Sequence, residues 1–106
     1  MWFVFPQIAG LGHSDMARHY ALASIDEAAA YLAHDVLGPR LLDCTKLVNG
    51  IEGRTVGQIF GSPDDMKFHS SMTLFAQVPS AGPDFSAALA KHFAGAEDEA
   101  TLRKLR

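Results

Sequence analysis

The chain has 106 residues, 48% hydrophobic and 20% charged, which is typical of a folded globular domain rather than a disordered segment. This length predicts a single domain, residues 1–106, because domains shorter than about 50 residues rarely hold a core of their own. The net charge of −3 supplies no basic surface of the kind that holds nucleic acid by counterion release. We therefore expect a globular domain that does not bind nucleic acid.

The cysteine content and the apolar start indicate the compartment. Cys44 is the only cysteine, so no disulfide can form within the chain, and a reducing, cytoplasmic location is expected. Its place on an apolar helical stripe predicts a buried, inert thiol. The apolar start, residues 1–5, has no basic stretch and meets Pro6 well before the ~20 apolar residues of a membrane span. It predicts neither a signal peptide nor a membrane anchor, and we expect something to cover it.

The first part of the chain predicts an extended segment and two helices. Proline and glycines interrupt residues 1–13, which favours a short extended piece followed by a loop. Ser14 is a suitable cap for a helix to about residue 22. Ser24 and Glu27 have the spacing of a capping box, in which each side chain satisfies a free N–H group of the other. This spacing predicts a second helix to about residue 34.

The middle of the chain predicts a third helix and a short helical turn. Asp35 is the expected cap, Pro39 falls in or near the first turn, and Gly50 follows the end. An apolar stripe at helical spacing supports this helix: Leu37, Leu41, Cys44 and Val48. Residues 56–60 predict a short turn of helix. Residues 2–5 and 54–60 also have a strand-like composition, so two short strands are an alternative.

Two further helices follow. Ser62 is the predicted cap of the first, with Pro63 at its first position and two acids at the positive end of the helix dipole. This helix is expected to end at Val78-Pro79. In the second, Phe85, Leu89 and Phe93 recur every four residues before Gly95, a typical stop. The sequence thus predicts a mainly α fold: an irregular orthogonal bundle of four main helices with short helical turns and an extended N-terminal segment.

Several phrases of the sequence resemble the uncharacterised DUF1810 family. They are residues 2–8 (WFVFPQI), 10–14 (GLGHS), 27–28 (EA), 31–32 (YL), 37–41 (LGPRL), 59–67 (IFGSPDDMK) and 70–75 (SSMTLF). The resemblance covers nearly the whole chain and implies a small, mainly helical fold with no established substrate. Members are often filed as calpastatin, but the calpain inhibitor is a disordered chain and nothing in this sequence resembles it.

The resemblance also shows a departure at the N-terminus. Members of the family usually carry an additional helical segment that leads into a His-Trp-Met-Trp phrase, and only Met1 and Trp2 correspond to it here. We expect the groove for that segment to be open or filled by a neighbouring chain, which raises the possibility of a homo-oligomer through the apolar N-terminal residues. More distantly, the chain resembles the NADAR-type N-glycosidases, small helical proteins that act on ribosylated metabolites.

The loop of residues 10–14 is the first candidate site. Glycines that lead into a helix start can offer free N–H groups to a phosphate or carboxylate, so His13 and Ser14 are candidate ligands. An ordinary glycine turn with a cap explains the same residues, because one Gly-x-Gly lacks the rest of a dinucleotide site. Gln7 is the polar residue that local structure explains least, and Arg40 could supply a bidentate anion contact.

The helix that starts near Ser62 is the second candidate site. Asp64 or Asp65 could act as a general base or bind a ribose hydroxyl. Lys67 and Ser70 are three apart and could form a base–nucleophile pair. The dipole explains the acids equally well, an Asp64–Lys67 pair explains the lysine, and small serines allow close packing. The candidate catalytic residues are Asp65 and Lys67, and Asp64, Ser70 and Ser71 are candidate ligand contacts.

Three functions remain open from the sequence. The first is binding of a nucleotide- or sugar-phosphate-like metabolite through residues 10–14, Gln7, Arg40 and Lys67. The second is an N-glycosidase or another hydrolase in which Asp64 or Asp65 activates water. The third is a helical interaction module. The five histidines show no paired metal-ligand spacing, so neither a metal nor a cofactor is expected.

Overall fold

A computed structural model of the chain describes residues 5–10 and 21–105. Within this part of the chain the backbone forms six helices and no strand, which confirms the predicted mainly α fold. In chain order the helices are α1 (Ile25–Ala33), α2 (Leu37–Asn49), α3 (Val56–Phe60), α4 (Asp64–Ala76), α5 (Asp84–Phe93) and α6 (Glu99–Leu105). None of these helices is both long enough and apolar enough to cross a membrane.

Residues 5–10, called the lead here, run beside the residues that precede α1. Ile8 and Leu22 form an isolated parallel β-bridge. The Leu22 amide donates to the Gln7 carbonyl at 2.8 Å, and the Ala9 amide donates to the Leu22 carbonyl at 2.7 Å. Leu22 is therefore not helical, and the predicted end of the first helix near residue 22 is wrong. The rest of that helix, residues 14–20, lies outside the described residues.

Helix α1 begins at its predicted cap. The Ser24 hydroxyl accepts a hydrogen bond from the Glu27 amide at 3.2 Å. The Glu27 carboxylate accepts from the Ala23 amide at 3.3 Å and not from the Ser24 amide, so the second half of the expected capping box is displaced by one residue. The cap still satisfies donors that a helix start leaves free.

The predicted cap of α2, Asp35, is wrong. His34 takes its place, because its ring Nδ1 accepts hydrogen bonds from the amides of Val36 and Leu37, each at 3.1 Å. Only residues 34–36 separate α1 from α2. A ring at the end of one helix can therefore reach the free N–H groups at the start of the next. Pro39 lies in the first turn, as predicted, where its missing N–H breaks no helical bond.

Close approach of α1 and α2 leaves no space for a side chain at Gly38. A Cβ atom there would lie 2.0 Å from the Leu32 carbonyl oxygen, well inside van der Waals contact. Gly38 itself is buried. The corner between the two helices therefore depends on glycine for its packing and not for an unusual backbone angle.

The predicted helical turn at residues 56–60 is confirmed, and the alternative strand over 54–60 is wrong. Thr55 caps α3 through a complete capping box: its hydroxyl accepts from the Gln58 amide, and the Gln58 side chain accepts from the Thr55 amide. Helical residues that follow such a cap cannot at the same time be extended. The capping box therefore makes this segment helical despite its strand-like composition.

The predicted cap of α4, Ser62, is wrong. The helix begins at Asp64, directly after Pro63, with no side-chain cap. Ser62 would have capped the Asp65 amide, but that amide already donates to the Gly61 carbonyl at 2.9 Å. Gly61 has a φ of 74°, which favours glycine and presents its carbonyl to the helix start. The Gly61 carbonyl thus takes the place of the Ser62 hydroxyl as the acceptor for the Asp65 amide.

Helices α5 and α6 form the end of the described chain. α5 ends at Phe93, where Ala94 and Gly95 both have positive φ, in agreement with the predicted stop. The sequence analysis missed α6. Its start has a recognisable signal, because Asp98 is a good cap and its Oδ2 accepts from the Thr101 amide at 3.1 Å. The helix has only seven residues, too few to show an apolar period.

Helix α4 lies at the centre of the bundle and packs against α1, α3, α5 and α6. Residues 70–75 are all buried, so this helix is covered on every side over more than one and a half turns. Its small residues, Ser70, Ser71 and Thr73, allow the neighbouring helices to approach closely. The largest fully buried apolar side chains are those of Ile8, Leu41, Phe68, Met72, Leu74, Phe75 and Phe85.

The corner between α1 and α2 gives a test of the fold. We expect Gly38→Ala to lower the free energy of unfolding by about 3 kcal/mol or more, because the new methyl group overlaps the Leu32 carbonyl. Gly50→Ala is the matched control: a Cβ there is 3.5 Å from its nearest neighbours, and we expect a change within about 0.5 kcal/mol. Urea unfolding measures both. Equal losses in the two variants would contradict the close approach.

Candidate functional site

Gln7 is a buried polar residue whose side chain the folded chain does not fully use. It is 3% exposed, and its Nε2 has no hydrogen-bond partner among residues 5–10 and 21–105. Its backbone is engaged, since the carbonyl accepts from the Leu22 amide. Buried polar groups nearly always have partners, because leaving one unpaired costs about 1–3 kcal/mol. The predicted site residue in the lead therefore holds a donor that no local structural role explains.

Lys104 of α6 covers the start of the glycine loop. Gly10 has a φ of 94°, which strongly favours glycine. The Cε and Nζ atoms of Lys104 each lie 3.2 Å from the position that a Cβ on Gly10 would occupy. Lys104 also borders a cavity of about 270 Å³ with Ser24 and Ile25, at the start of α1. The sequence analysis missed this lysine because it missed α6.

The remaining predicted ligands of the loop and of α2 are less well defined. His13 and Ser14 lie outside the described residues. Arg40 is exposed in the first turn of α2 and already has an interaction partner. Cys44 is half-buried rather than fully buried. In the part of the chain that the structure describes, no group of three His, Cys, Asp or Glu side chains is arranged to hold a metal ion.

The predicted catalytic residues lie in the first turn of α4 and have structural partners. Lys67 Nζ is 3.9 Å from Asp64 Oδ1, an i, i+3 pair at the surface. Asp65 Oδ1 accepts from the Met66 amide at 2.9 Å. Its Oδ2 lies 3.8 Å from the position of a Cβ on Gly57, so it faces α3. These contacts account for the residues structurally, and the catalytic role of Asp65 and Lys67 stays a prediction.

Ser70 contacts Asp98 and makes no hydrogen bond with Lys67. Its hydroxyl donates to the Asp98 Oδ2 at 3.1 Å and to a carbonyl of its own helix. The same Oδ2 accepts from the Thr101 hydroxyl at 2.6 Å. The Asp98 amide donates to Thr73 Oγ1 at 2.9 Å. Ser70, Thr73, Asp98 and Thr101, called the Asp98 network here, therefore hold α6 against α4.

Ser71, a predicted ligand contact, is fully buried in α4, and no described residue is a hydrogen-bond partner of its Oγ. Among the described residues, buried atoms in α2 and α5 share this state: Asn49 Oδ1 and His92 Nε2. Asn49 still donates through Nδ2 to the Asp84 carbonyl at 3.2 Å. The side chain of Asn49 therefore still makes one hydrogen bond, whereas the Ser71 hydroxyl makes none to any described residue.

His92 in the last turn of α5 is a half-buried titratable group. Its ring meets the Phe68 ring edge-on, with centroids 6.0 Å apart. Burial lowers the pKa of His92 from its ordinary value of 6.5, and the positive charge of the neighbouring Lys91 lowers it further. The Val48 backbone opposes this shift. The folded protein therefore favours the neutral ring.

Comparison with known proteins identifies the family. The model of DUF1810, described as a protein of unknown function, matches residues 1–105. The chain belongs to the DUF1810 family. The crystal structure of the conserved hypothetical protein Rv1873 from Mycobacterium tuberculosis is 56% identical in sequence, with a TM-score of 0.95. That match covers 98% of this chain and 74% of the mycobacterial chain. None of the curated proteins matches the sequence.

The predicted resemblance to DUF1810 is therefore confirmed, together with the mainly α fold that it implied. The family is one of unknown function, and the mycobacterial protein is a conserved hypothetical protein, so neither match indicates a substrate, ligand or reaction. The more distant likeness to the NADAR-type N-glycosidases stays a prediction.

The Asp98 network gives a stability prediction. We expect Asp98→Ala to lower the free energy of unfolding by about 1–3 kcal/mol, because it removes the cap of α6 and leaves the Ser70 and Thr101 hydroxyls without their shared acceptor. Glu99→Ala removes an exposed acid from the same turn, so we expect a loss below about 1 kcal/mol. Urea unfolding measures both variants. A similar loss in each would show that only the helix dipole is involved.

The lowered pKa of His92 gives a pH prediction. The unfolded chain binds a proton at this ring more readily than the folded chain does, so stability falls as the pH drops through 6.5 towards the lower folded pKa. We expect His92→Gln to reduce this pH dependence, because the variant has no ring to protonate. Thermal unfolding of both proteins between about pH 7 and pH 5 measures the slope. An unchanged slope in the variant would assign the dependence to other groups.

Proposed function

We propose that this DUF1810 domain binds a small anionic metabolite of the nucleotide or sugar-phosphate class, beside the lead and α6. The observation that carries the proposal is the Gln7 side chain, which is buried and holds an unpaired Nε2 donor. An amide donor of this kind fits an oxygen acceptor on a ligand. Gly10 lies three residues further along the lead, and the ammonium group of Lys104, which lies over Gly10 from α6, supplies a cation.

The Lys104 ammonium group has a structural explanation, whereas the buried amide of Gln7 has none. Lys104 lies in the last turn of α6, where a cation interacts favourably with the helix dipole, typically by about 0.3–1 kcal/mol. No comparable benefit follows from the buried Nε2 of Gln7. A group that destabilises the free protein and is useful only with a ligand is characteristic of binding sites, where stability is lost in favour of function. Gln7 therefore has more weight in the proposal than Lys104.

The environment of Lys104 fits a phosphate group on a larger ligand. The cavity of about 270 Å³ that Lys104 borders at the start of α1 is close to the smallest volume that small-molecule sites have. Asp26 also lines this cavity, so a bare polyanion fits it poorly. A sugar carries hydroxyl groups that can donate to Asp26 while its phosphate contacts Lys104. This combination favours a sugar phosphate or nucleotide over inorganic phosphate.

The other two functions have less support. No observation favours a hydrolase, because Asp64 pairs with Lys67 and Asp65 accepts from the backbone. An interaction module or homo-oligomer was expected to use the apolar start of the chain. Phe5 in that segment is already buried within this chain against Phe60 and Phe68, so it is not available to a partner.

A cytoplasmic location is part of the proposal, because a chain with a single cysteine suits a reducing compartment. The net charge of −3 likewise argues against a nucleic-acid partner.

A ligand panel tests the proposal. We expect ADP-ribose, AMP or ribose 5-phosphate to raise the melting temperature by mass action, with about 2.7 kcal/mol of stabilisation at a ligand concentration of 100 times Kd. Gln7→Met keeps the side-chain volume and removes the donor. We expect this variant to be as stable as the parent or more stable without ligand, and to lose the ligand-induced shift. Differential scanning fluorimetry measures both quantities.

Two variants in α6, a test and its matched control, examine the role of the cation. Lys104→Met removes the charge and keeps the aliphatic chain over Gly10, so we expect weaker binding. Arg103→Met removes an exposed charge from the same turn, and we expect ligand binding close to that of the parent. No shift with any ligand at millimolar concentration, or a Gln7→Met protein that is clearly less stable without ligand, would contradict the proposal.

A further inference from the structure

The end of α2 carries the sequence in which an asparagine is chemically least stable. Asn49 is the last residue of α2 and the only asparagine of the chain, and Gly50 follows it. The side-chain Cγ of an asparagine can be attacked by the backbone nitrogen of the next residue, which makes asparagine a thermolabile residue. Glycine leaves that nitrogen unhindered, because it has no side chain.

The packing of α2 does not require glycine at position 50. Gly50 has a φ of −79°, which any residue adopts. A Cβ there would lie 3.5 Å from its nearest neighbours, the carbonyl oxygens of Lys46 and Leu47, and this is ordinary van der Waals contact. Neither the backbone angle nor the available space therefore explains this glycine, in contrast to Gly38. Its effect on the reactivity of Asn49 is what distinguishes it from alanine.

The folded chain engages both groups that would react. The Gly50 amide donates to the Lys46 carbonyl at 3.0 Å. The Asn49 Nδ2 donates to the carbonyl of Asp84, the first residue of α5, at 3.2 Å. The Asn49 carbonyl accepts from Lys91 Nζ of the same helix, which holds the main chain in place. Attack of the Gly50 nitrogen on Cγ requires the first two contacts to break, and the third opposes the necessary rotation of the main chain.

We infer that Asn49-Gly50 is a deamidation site that the contact between α2 and α5 protects. When this contact opens, the Gly50 nitrogen bonds to Asn49 Cγ, the Cγ–Nδ2 bond breaks, and ammonia leaves with the amide proton. Water then opens the resulting cyclic imide at either carbonyl and gives aspartate or isoaspartate. The net change is the gain of water and the loss of ammonia, with no oxidant and no cofactor.

The products fit the contact between α2 and α5 poorly. Each replaces the Nδ2 donor by a carboxylate oxygen that faces the Asp84 carbonyl, and the Asn49 Oδ1 is already buried without a described partner. Lys91 attracts the new negative charge, but it already pairs with Glu52 at 2.8 Å. Isoaspartate also adds a carbon to the main chain at the end of α2. An opening that leads to deamidation therefore weakens this contact permanently, whatever ligand the domain binds.

Mass spectrometry of the intact chain and of its peptides measures the reaction, and the single asparagine makes the assignment unambiguous. We expect deamidation in native buffer to be at least about tenfold slower than in urea, because local opening of the packed helix end limits it. Gly50→Ala should slow the reaction strongly in both solvents. Equal rates of the parent in native buffer and urea would overturn the inference.

Two lysine variants test the protection. Lys91→Met removes the contact with the Asn49 carbonyl, and we expect about threefold or faster deamidation in native buffer with an unchanged rate in urea. Lys46→Met is the matched control, because it removes an exposed cation from the last turn of α2. It should leave the native rate close to that of the parent. An unchanged rate in Lys91→Met, or equal acceleration in both variants, contradicts protection by α5.

The aspartate product can be made directly. Asn49→Asp should lower the melting temperature by about 4 °C or more, the shift expected when a chain of this size loses one partly buried hydrogen bond. Lys46→Met changes the net charge by the same amount and should have a smaller effect. Differential scanning fluorimetry measures both. An Asn49→Asp protein as stable as the parent would show that deamidation leaves the contact intact and would overturn the inferred consequence.

Discussion

The ring of Phe68 is the contact that joins the separate parts of this fold. Phe5 of the lead meets it edge-on with centroids 5.0 Å apart, and Phe60 of α3 lies at 4.9 Å. From α5, the His92 and Phe93 rings lie at 6.0 Å and 6.2 Å. Pairs of rings in such geometries contribute about 0.5–1.5 kcal/mol beyond their burial. Because α3 has only five residues and the lead has no helix, these parts depend on Phe68 for their position.

The Asp98 network has the corresponding role for α6. A seven-residue helix is not stable alone in water, because helix nucleation is unfavourable and the few bonds that follow do not compensate. One carboxylate oxygen that accepts from Ser70 and Thr101 supplies the missing stabilisation. His69 adds to it, since its Nε2 contacts the Ala96 carbonyl at 2.7 Å. The serine that looked like a nucleophile from its spacing thus serves to dock a helix.

The fold could be predicted from the sequence where the signals are local. Ser24 caps α1 and the turn at residues 56–60 is helical, because caps and periods act within one or two turns. The predictions at Asp35 and Ser62 failed because another group reached the same donors first: a histidine ring from the preceding helix in one case and a glycine carbonyl in the other. Competition between two suitable acceptors depends on the path of the chain, which spacing does not describe.

The site could be predicted only in part for a similar reason. Gln7 was predicted because no local role explained it, and its place in a site stays a prediction that its buried donor, unpaired among the described residues, motivates. Lys104 reaches Gly10 only in the folded chain, so a pass along the sequence could not pair them. Spatial neighbours of this kind leave no trace in residue spacing.

The docking of α6 also connects ligand affinity with local unfolding. Lys104 lies over Gly10 only while the Asp98 network holds α6 in place, so any fraction of molecules with α6 detached lacks the cation of the proposed anion site. The measured affinity is then the intrinsic affinity reduced by the docked fraction. By the same linkage, an anion bound at the proposed site would lower the population of molecules with α6 detached and protect its amides from hydrogen exchange. Docking of α6 and binding beside the lead would then be coupled in one equilibrium.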